Sequence, residues 1–165
     1  MRKQIIVMVL MGVSGSGKTT VGRLLSEELG WKFYEGDDFH PSANVQKMRR
    51  AIPLDDTDRK PWLDILRNLI RTCLEQGDSA VLACSALKKS YREFLRIDER
   101  VVFVYLKGNY EIIRQRLRGR PGHFMKPDLL DSQFEALEEP EAAMCVDVSA
   151  SPHKIVQSIK NHLRL

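Results

Sequence analysis

The chain has 165 residues, of which 43% are hydrophobic and 29% charged, and its net charge is +4 at pH 7. This length suits one domain, residues 1–165, and the proportion of hydrophobic to charged residues excludes disordered and fibrous proteins. The apolar run 5–11 is too short to span a bilayer and no signal-peptide layout surrounds it, so we expect no membrane segment and a cytoplasmic location. Cys73, Cys84 and Cys145 match no metal or redox pattern, which predicts buried free thiols.

Short apolar runs alternate with amphipathic segments along the chain. The predicted strands are 5–11, 31–35, 80–84, 101–106 and 143–148. The predicted helices are 18–28, 43–50, 61–76, 89–95, 110–118, 129–138 and a last one that starts at 151–152, with Pro61 in the first turn of the third. This alternation predicts an α/β fold with a central five-stranded parallel sheet and helices on both faces.

A phosphate-binding loop lies between the first predicted strand and the first helix. The residues are Gly12, Val13, Ser14, Gly15, Ser16, Gly17, Lys18 and Thr19, which fit G-x-x-x-x-G-K-[ST]. Glycines let backbone N–H groups point inward at phosphates, and the helix N-terminus adds roughly half a positive charge. We expect Lys18 to reach the β- and γ-phosphates of ATP and the Thr19 hydroxyl to bind Mg²⁺. The loop predicts a P-loop phosphotransferase.

A cluster of acidic residues after the second strand indicates which class of P-loop protein this is. The third strand ends at Cys84-Ser85 without the acid that a motor ATPase places there, and the Asn-Lys-x-Asp signature of GTPases is absent. Glu35-Gly36-Asp37-Asp38 follows the second strand, and Glu35 and Asp37 would share one side of an extended segment. A kinase of small alcohols needs a carboxylate that accepts the hydroxyl proton, and Asp37 is the candidate. Asp38 is expected to be a solvated turn acid.

A helical lid is predicted late in the chain, at about residues 114–126. Arg116 and Arg120 are four residues apart and share a helix face if the helix persists. Arg116 lies just before, and Arg120 at the start of, the segment 119–126, whose composition suits a lid that closes over ATP. We expect both arginines to balance charge on the transferring phosphoryl group, the alternative being a solvated basic face.

Several longer motifs resemble the gluconokinase family over nearly the whole chain. They are 12–20, which adds Thr20 to the nucleotide-binding set; Gly36-Asp37-Asp38-Phe39-His40-Pro41 with Asn44, Lys47 and Met48; Pro53-Leu54 with 58–63; 84–88 with Tyr91-Arg92; and His123-Phe124-Met125 with Ser132-Gln133-Phe134. The resemblance implies ATP-dependent phosphorylation of D-gluconate at its terminal hydroxyl, giving 6-phospho-D-gluconate and ADP. It also implies a fold similar to that of shikimate and nucleoside monophosphate kinases, and a possible homodimer.

Two departures from the family pattern are visible. Ala51 stands where the family usually has a Gly, which could serve a turn with positive φ. The stretch between Pro140 and the final strand is a few residues shorter than usual, which concerns the adenine-side loop 149–152.

Four further residues are candidates for binding the acceptor. Arg59 lies just before the predicted helix 61–76, where a cation is poorly placed for the helix dipole, and Lys88 follows the third strand at the ligand-binding edge of the sheet. With Arg49, they are expected to receive the gluconate carboxylate. His40 either contacts substrate or fixes the turn 36–41.

Three rival hypotheses stay open from the sequence. The first is a P-loop kinase of another acceptor such as shikimate. The second is a nucleotide-binding regulatory module without turnover. The third is a basic RNA-binding protein, against which the chain offers no recognition motif and no interleaved aromatic residues, so no nucleic-acid partner is expected.

Overall fold

A computed structural model describes residues 3–119 and 127–165 of the chain. Its strands are β1 (Val7–Met11), β2 (Lys32–Glu35), β3 (Ala80–Ala83), β4 (Val101–Lys107) and β5 (Met144–Asp147). Its helices are α1 (Lys18–Leu29), α2 (Ser42–Arg49), α3 (Asp56–Gln76), α4 (Lys89–Leu95), α5 (Tyr110–Arg118), α6 (Pro127–Ala136) and α7 (Pro152–Leu163), with a 3₁₀ helix at Gly36–Phe39. Among these residues, no helix is long and apolar enough to cross a membrane.

The five strands form one parallel sheet in the order β2-β3-β1-β4-β5. Every residue of β1 is buried because its alternate side chains pack on opposite faces of the sheet. Val9 packs with Trp62 and Leu66 of α3, whereas Leu10 packs with Leu25 of α1 and with residues of α7. This confirms the predicted α/β class with helices on both faces. Because all strands are parallel, the loops after β1, β2 and β3 meet at one edge of the sheet.

Helix α3 begins one turn earlier than predicted. The Asp55 carboxylate accepts a hydrogen bond from the Asp58 backbone N–H at 2.8 Å, and the Asp58 carboxylate accepts one from the Asp55 N–H at 3.1 Å. This reciprocal cap starts the helix at Asp56, so the placement of Pro61 in the first turn was wrong. Arg59 therefore lies inside the helix, and the argument that it precedes one was wrong as well.

The cysteines do not share one environment. Cys73 and Cys84 are buried, and burial raises the pKa of the Cys84 thiol to about 12. Cys145 is exposed, which corrects the prediction for that residue. It lies on the edge strand β5, where its neighbour Val146 takes the buried side.

Helix α2 ends in a turn that would suit glycine. The N–H of Ile52 donates to the Lys47 carbonyl at 2.9 Å and the N–H of Ala51 to the Met48 carbonyl at 3.1 Å, which is a Schellman motif. Ala51 has φ of 57°, the left-handed conformation that this motif requires. Ala51 therefore occupies a glycine position, as the departure from the family pattern suggested.

We expect Ala51→Gly to stabilise the protein. A left-handed conformation costs a non-glycine residue roughly 1–2 kcal/mol. Glycine removes this strain but also gives the unfolded chain more conformational freedom, which offsets part of the stabilisation. We therefore expect a net gain in the free energy of unfolding of about 0.5–1 kcal/mol and a rise in Tm of about 1–4 °C. Thermal unfolding measures the shift. The matched control is Ala43→Gly in the helical part of α2, which should lower Tm, and a loss of similar size in both variants would contradict the prediction.

Candidate active site

The phosphate-binding loop joins β1 to α1. Gly17 has φ of 100° and directly precedes α1, and Gly12 packs so tightly that an added Cβ would lie 2.8 Å from the Leu106 carbonyl oxygen. The Lys18 ammonium donates hydrogen bonds to the carbonyl oxygens of Gly12 and Val13, both at 2.9 Å. The lysine thus reaches back across the loop, toward the place where its N–H groups would bind phosphate.

Glu35 stands beside the loop at the end of β2. The Thr19 hydroxyl donates a hydrogen bond to the Glu35 carboxylate. Burial raises the pKa of Glu35, and the negative charge of Asp37 adds to that shift. One hydroxyl and two carboxylates in this place form the oxygen-rich donor set that Mg²⁺ prefers. Thr19 was predicted as a magnesium ligand, whereas Glu35 was noted only as a partner of Asp37.

Asp37 lies on the 3₁₀ helix Gly36–Phe39, not on an extended segment as predicted. Gly36 packs against β3 so closely that a Cβ would lie 2.4 Å from the Ala83 carbonyl oxygen, and Trp62 Nε1 donates to the Gly36 carbonyl at 2.8 Å. These contacts fix the start of the turn. The Asp37 side chain is 71% exposed and lines a cleft together with Lys18, whereas Asp38 is exposed and does not belong to that lining.

His40 is held inside the same turn. Its side chain is 4% exposed and stacks on Trp62 with ring centroids 4.3 Å apart. Asn44 Nδ2 donates to the Asp58 carbonyl and lies 3.2 Å from His40 Nδ1, so Nδ1 accepts and the ring proton is on Nε2, 3.8 Å from Asp37 Oδ1. Burial lowers the pKa of His40 and the charge of Arg59 lowers it further, against the opposing effect of Asp37. This network favours the turn-fixing alternative for His40.

The predicted cationic pocket is only partly assembled. Arg59 Nη1 donates to the Tyr91 hydroxyl at 3.1 Å, and that hydroxyl donates to the Asp56 carboxylate. Lys88 lies 2.8 Å from the same carboxylate, which raises the pKa of Lys88. Arg59 lines the cleft with Lys18 and Asp37, but Lys88 is bound to Asp56 outside that lining. Arg49 is exposed on α2, also outside the described cleft lining.

The cleft collects side chains from the P-loop, the 3₁₀ turn, the 48–54 segment, α3, the loop after β3, and α6. Its lining is Ser14, Lys18, Asp37, His40, Met48, Ile52, Pro53, Leu54, Arg59, Trp62, Ser85, Leu87, Leu129, Ser132 and Gln133. Another pocket, between α4, β4 and residues 138–143, includes Arg92 and Phe103 but none of the P-loop residues. The cleft beside Lys18 is therefore the candidate for phosphoryl transfer.

A second groove touches the other side of the P-loop. It is lined by Ser16, Gly17, Thr20, Val21, Gln115, Arg116, Gly119, Val148, Ala150, Pro152 and Ile155. This lining includes part of the predicted adenine-side loop. Arg116 Nη2 donates to the Val148 carbonyl at 2.5 Å, which places it beside this groove. Arg120 and the segment 120–126 lie outside the described residues, so the lid and the roles of both arginines stay predictions.

Gln133 of α6 enters the site without having been assigned a role from the sequence. Its Oε1 accepts a hydrogen bond from the Ser14 backbone N–H at 2.6 Å. The sequence indicated Gln133 only as part of the Ser132-Gln133-Phe134 motif. Its contact with Ser14 could not be predicted, because the two residues are 119 positions apart and share no local pattern.

Comparisons with known proteins agree on one group of kinases. A family profile described as shikimate kinase matches residues 14–164. A probable gluconokinase of Rattus norvegicus is 48% identical over 155 residues, covering 82% of this chain and 84% of that protein. A gluconokinase of Gluconobacter oxydans is 44% identical over 95% of this chain and 90% of its own length. The crystal structure of a gluconokinase from Sinorhizobium meliloti superposes with a TM-score of 0.88 at 40% identity, covering 99% of this chain and 94% of that one.

Proposed function

The chain belongs to the shikimate kinase family of P-loop domains and, within it, to the gluconokinases, and from that membership we propose that it transfers the γ-phosphoryl group of ATP to the terminal hydroxyl of D-gluconate. The products are 6-phospho-D-gluconate and ADP. The proposal includes a single kinase domain over residues 1–165 that works in the cytoplasm, with a homodimer as its possible assembly.

One observation carries the proposal beyond family membership. Lys18, Asp37 and Arg59 line one cleft, so a phosphate-binding cation, a carboxylate and a second cation face the same space. A sugar acid brings an anionic end and a reacting hydroxyl to such a site. Arg59 suits the carboxylate of the acceptor, because a guanidinium pairs with carboxylates through two parallel hydrogen bonds.

The chemistry follows from where each group stands. The P-loop N–H groups and Lys18 hold the phosphates and stabilise the charge of the transferring phosphoryl group. Asp37 orients the acceptor hydroxyl and accepts its proton as the oxygen attacks. Mg²⁺, held by the nucleotide together with Thr19 and with Glu35 and Asp37 nearby, would neutralise phosphate charge. His40 keeps the turn of Asp37 in place through its stacking on Trp62.

Arg59 is the acceptor-side cation that the cleft supports. Lys88 and Arg49, which were proposed beside it, stand outside the described lining, and Lys88 shares Asp56 with Tyr91. Lys88 therefore acts indirectly: it holds the Asp56 carboxylate, which accepts a hydrogen bond from the Tyr91 hydroxyl that Arg59 contacts.

A panel of acceptors tests the proposed function. ADP release is coupled to an optical assay with D-gluconate, shikimate and a neutral polyol of the same chain length. We expect acceptor-dependent release with D-gluconate, a weaker response with the polyol because it lacks the carboxylate, and little with shikimate. Turnover with shikimate alone would favour the rival acceptor, and ADP release with none of the acceptors would favour the regulatory module.

A further inference from the structure

Helix α6 is fixed at both of its sides, so the position of Gln133 is set by the fold. Leu130 is 1% exposed in the core cluster of α1 and α7, and Phe134 packs edge-on against Tyr110 of α5 with ring centroids 5.5 Å apart. Just past the helix, the Glu138 N–H donates to the Leu87 carbonyl at 2.8 Å. The half-buried Gln133 is thus presented to the cleft by a packed helix.

The buried Arg92 strengthens that attachment. Its guanidinium donates to the carbonyl oxygens of Ala86, Leu87 and Glu138 at 2.8, 3.1 and 2.8 Å. It therefore joins the end of α6 to the loop after β3, which also lines the cleft. Movement of α6 away from the cleft would break the two hydrogen bonds made by the Glu138 backbone, which favours a defined place for Gln133.

The hydrogen bond to Ser14 fixes which way the carboxamide faces. A backbone N–H can only donate, so the atom that it meets at 2.6 Å must be the carbonyl oxygen Oε1. The amide nitrogen Nε2 and its two protons are then turned away from the P-loop. Within residues 3–119 and 127–165, Nε2 of Gln133 makes no hydrogen bond. The Gln133 side chain lines the cleft together with Asp37 and Arg59.

We propose that Gln133 is a specificity-determining residue for the acceptor: Oε1 is held by the Ser14 N–H, and Nε2 donates a hydrogen bond to a hydroxyl oxygen of the bound polyol acid. The inference rests on the proposed function. A donor fixed between the phosphate loop and the acceptor cleft binds a hydroxyl of the chain between the carboxylate at Arg59 and the reacting end at Asp37. It sets the register of a flexible acceptor against the phosphate.

Such a contact discriminates between acceptors that have this hydroxyl and acceptors that lack it. A site built to hydrogen-bond a substrate hydroxyl rejects an analogue without it, because the donor is then left unpaired. One such hydrogen bond is expected to contribute about tenfold in kcat/KM. A residue that only braced the P-loop would instead affect all acceptors by the same factor.

The test compares D-gluconate with its singly deoxygenated analogues, using wild type, Gln133→Ala and the control Gln157→Ala, which changes an exposed glutamine on α7. Wild type should discriminate against one internal deoxygluconate by about tenfold or more in kcat/KM. Gln133→Ala should lose that discrimination, with kcat/KM for D-gluconate lowered by about tenfold and the KM for ATP within about twofold. Gln157→Ala should keep the wild-type pattern, and unchanged thermal unfolding of Gln133→Ala shows that it is folded.

Two outcomes would overturn the inference. Gln133→Ala could lower activity toward D-gluconate and every analogue by one common factor, or it could raise only the KM for ATP. Either result would make Gln133 a brace of the P-loop. Failure of wild type to phosphorylate D-gluconate is a separate result, since it overturns the proposed function before any variant is compared.

Discussion

Asp37→Asn is expected to bind ATP almost normally and to lose turnover by about 10² to 10⁴-fold, if proton transfer occurs in the transition state. The substitution keeps the shape of the side chain and removes its charge and its ability to accept a proton. Asp37 is 71% exposed, so the asparagine leaves no buried group unpaired and the fold should persist. Steady-state kinetics at saturating ATP and D-gluconate, with a separate measurement of ATP binding, check both parts of this expectation.

Asp38→Asn is the matched control for that variant. Asp38 is the next residue of the same 3₁₀ helix, also exposed, and successive side chains of a 3₁₀ helix point about 120° apart. It should keep turnover close to wild type. A dead Asp38→Asn with an active Asp37→Asn would move the base by one residue. Activity in both would make the acids structural, with the proton leaving to water or to the phosphate.

Lys18→Ala is the second variant with a large expected effect. The Lys18 ammonium bonds to two carbonyl oxygens of its own loop and faces the cleft, so its removal takes away a charge that stabilises the transferring phosphoryl group. Loss of one such preorganised donor typically costs about 10²–10³-fold in kcat, and we expect at least that here. The variant is measured for kcat with D-gluconate and for thermal unfolding.

Lys154→Ala serves as the control for the loss of a lysine. Lys154 is exposed in the first turn of α7 and does not belong to the cleft lining, and its replacement should leave kcat within about twofold. Near-wild-type turnover in folded Lys18→Ala would contradict the assignment of the loop as the phosphate-binding element.

The fold was largely predictable because its signals are local. A buried parallel strand is a short apolar run, as in β1, and α5 carries its own start and stop in Asn109 and Gly119. The start of α3 also has a local signal, the reciprocal cap formed by Asp55 and Asp58. It was missed because Pro61 was assigned to the first turn of the helix. The exposure of Cys145 depends on which face of the edge strand β5 is left uncovered by other elements. No local sequence pattern indicates that face.

The site was predictable only where its parts adjoin in sequence. The P-loop has its motif, and Asp37 follows a strand end, so both could be placed. The ion pair of Lys88 with Asp56 joins residues 32 apart, and the contact of Gln133 with Ser14 joins residues 119 apart. Such pairings depend on the packing of whole elements. They place Lys88 against Asp56, outside the described cleft lining, and Gln133 against the P-loop.

The product of the reaction tests the central claim most directly. The enzyme is incubated with ATP and D-gluconate, and the phosphorylated product is examined by phosphorus–proton correlation NMR. The proposed function predicts that the new phosphorus couples to the two protons of the terminal methylene, as in 6-phospho-D-gluconate, with one ADP formed per product. Coupling to a single proton of an internal carbon, or release of inorganic phosphate without a phosphorylated acid, would contradict it.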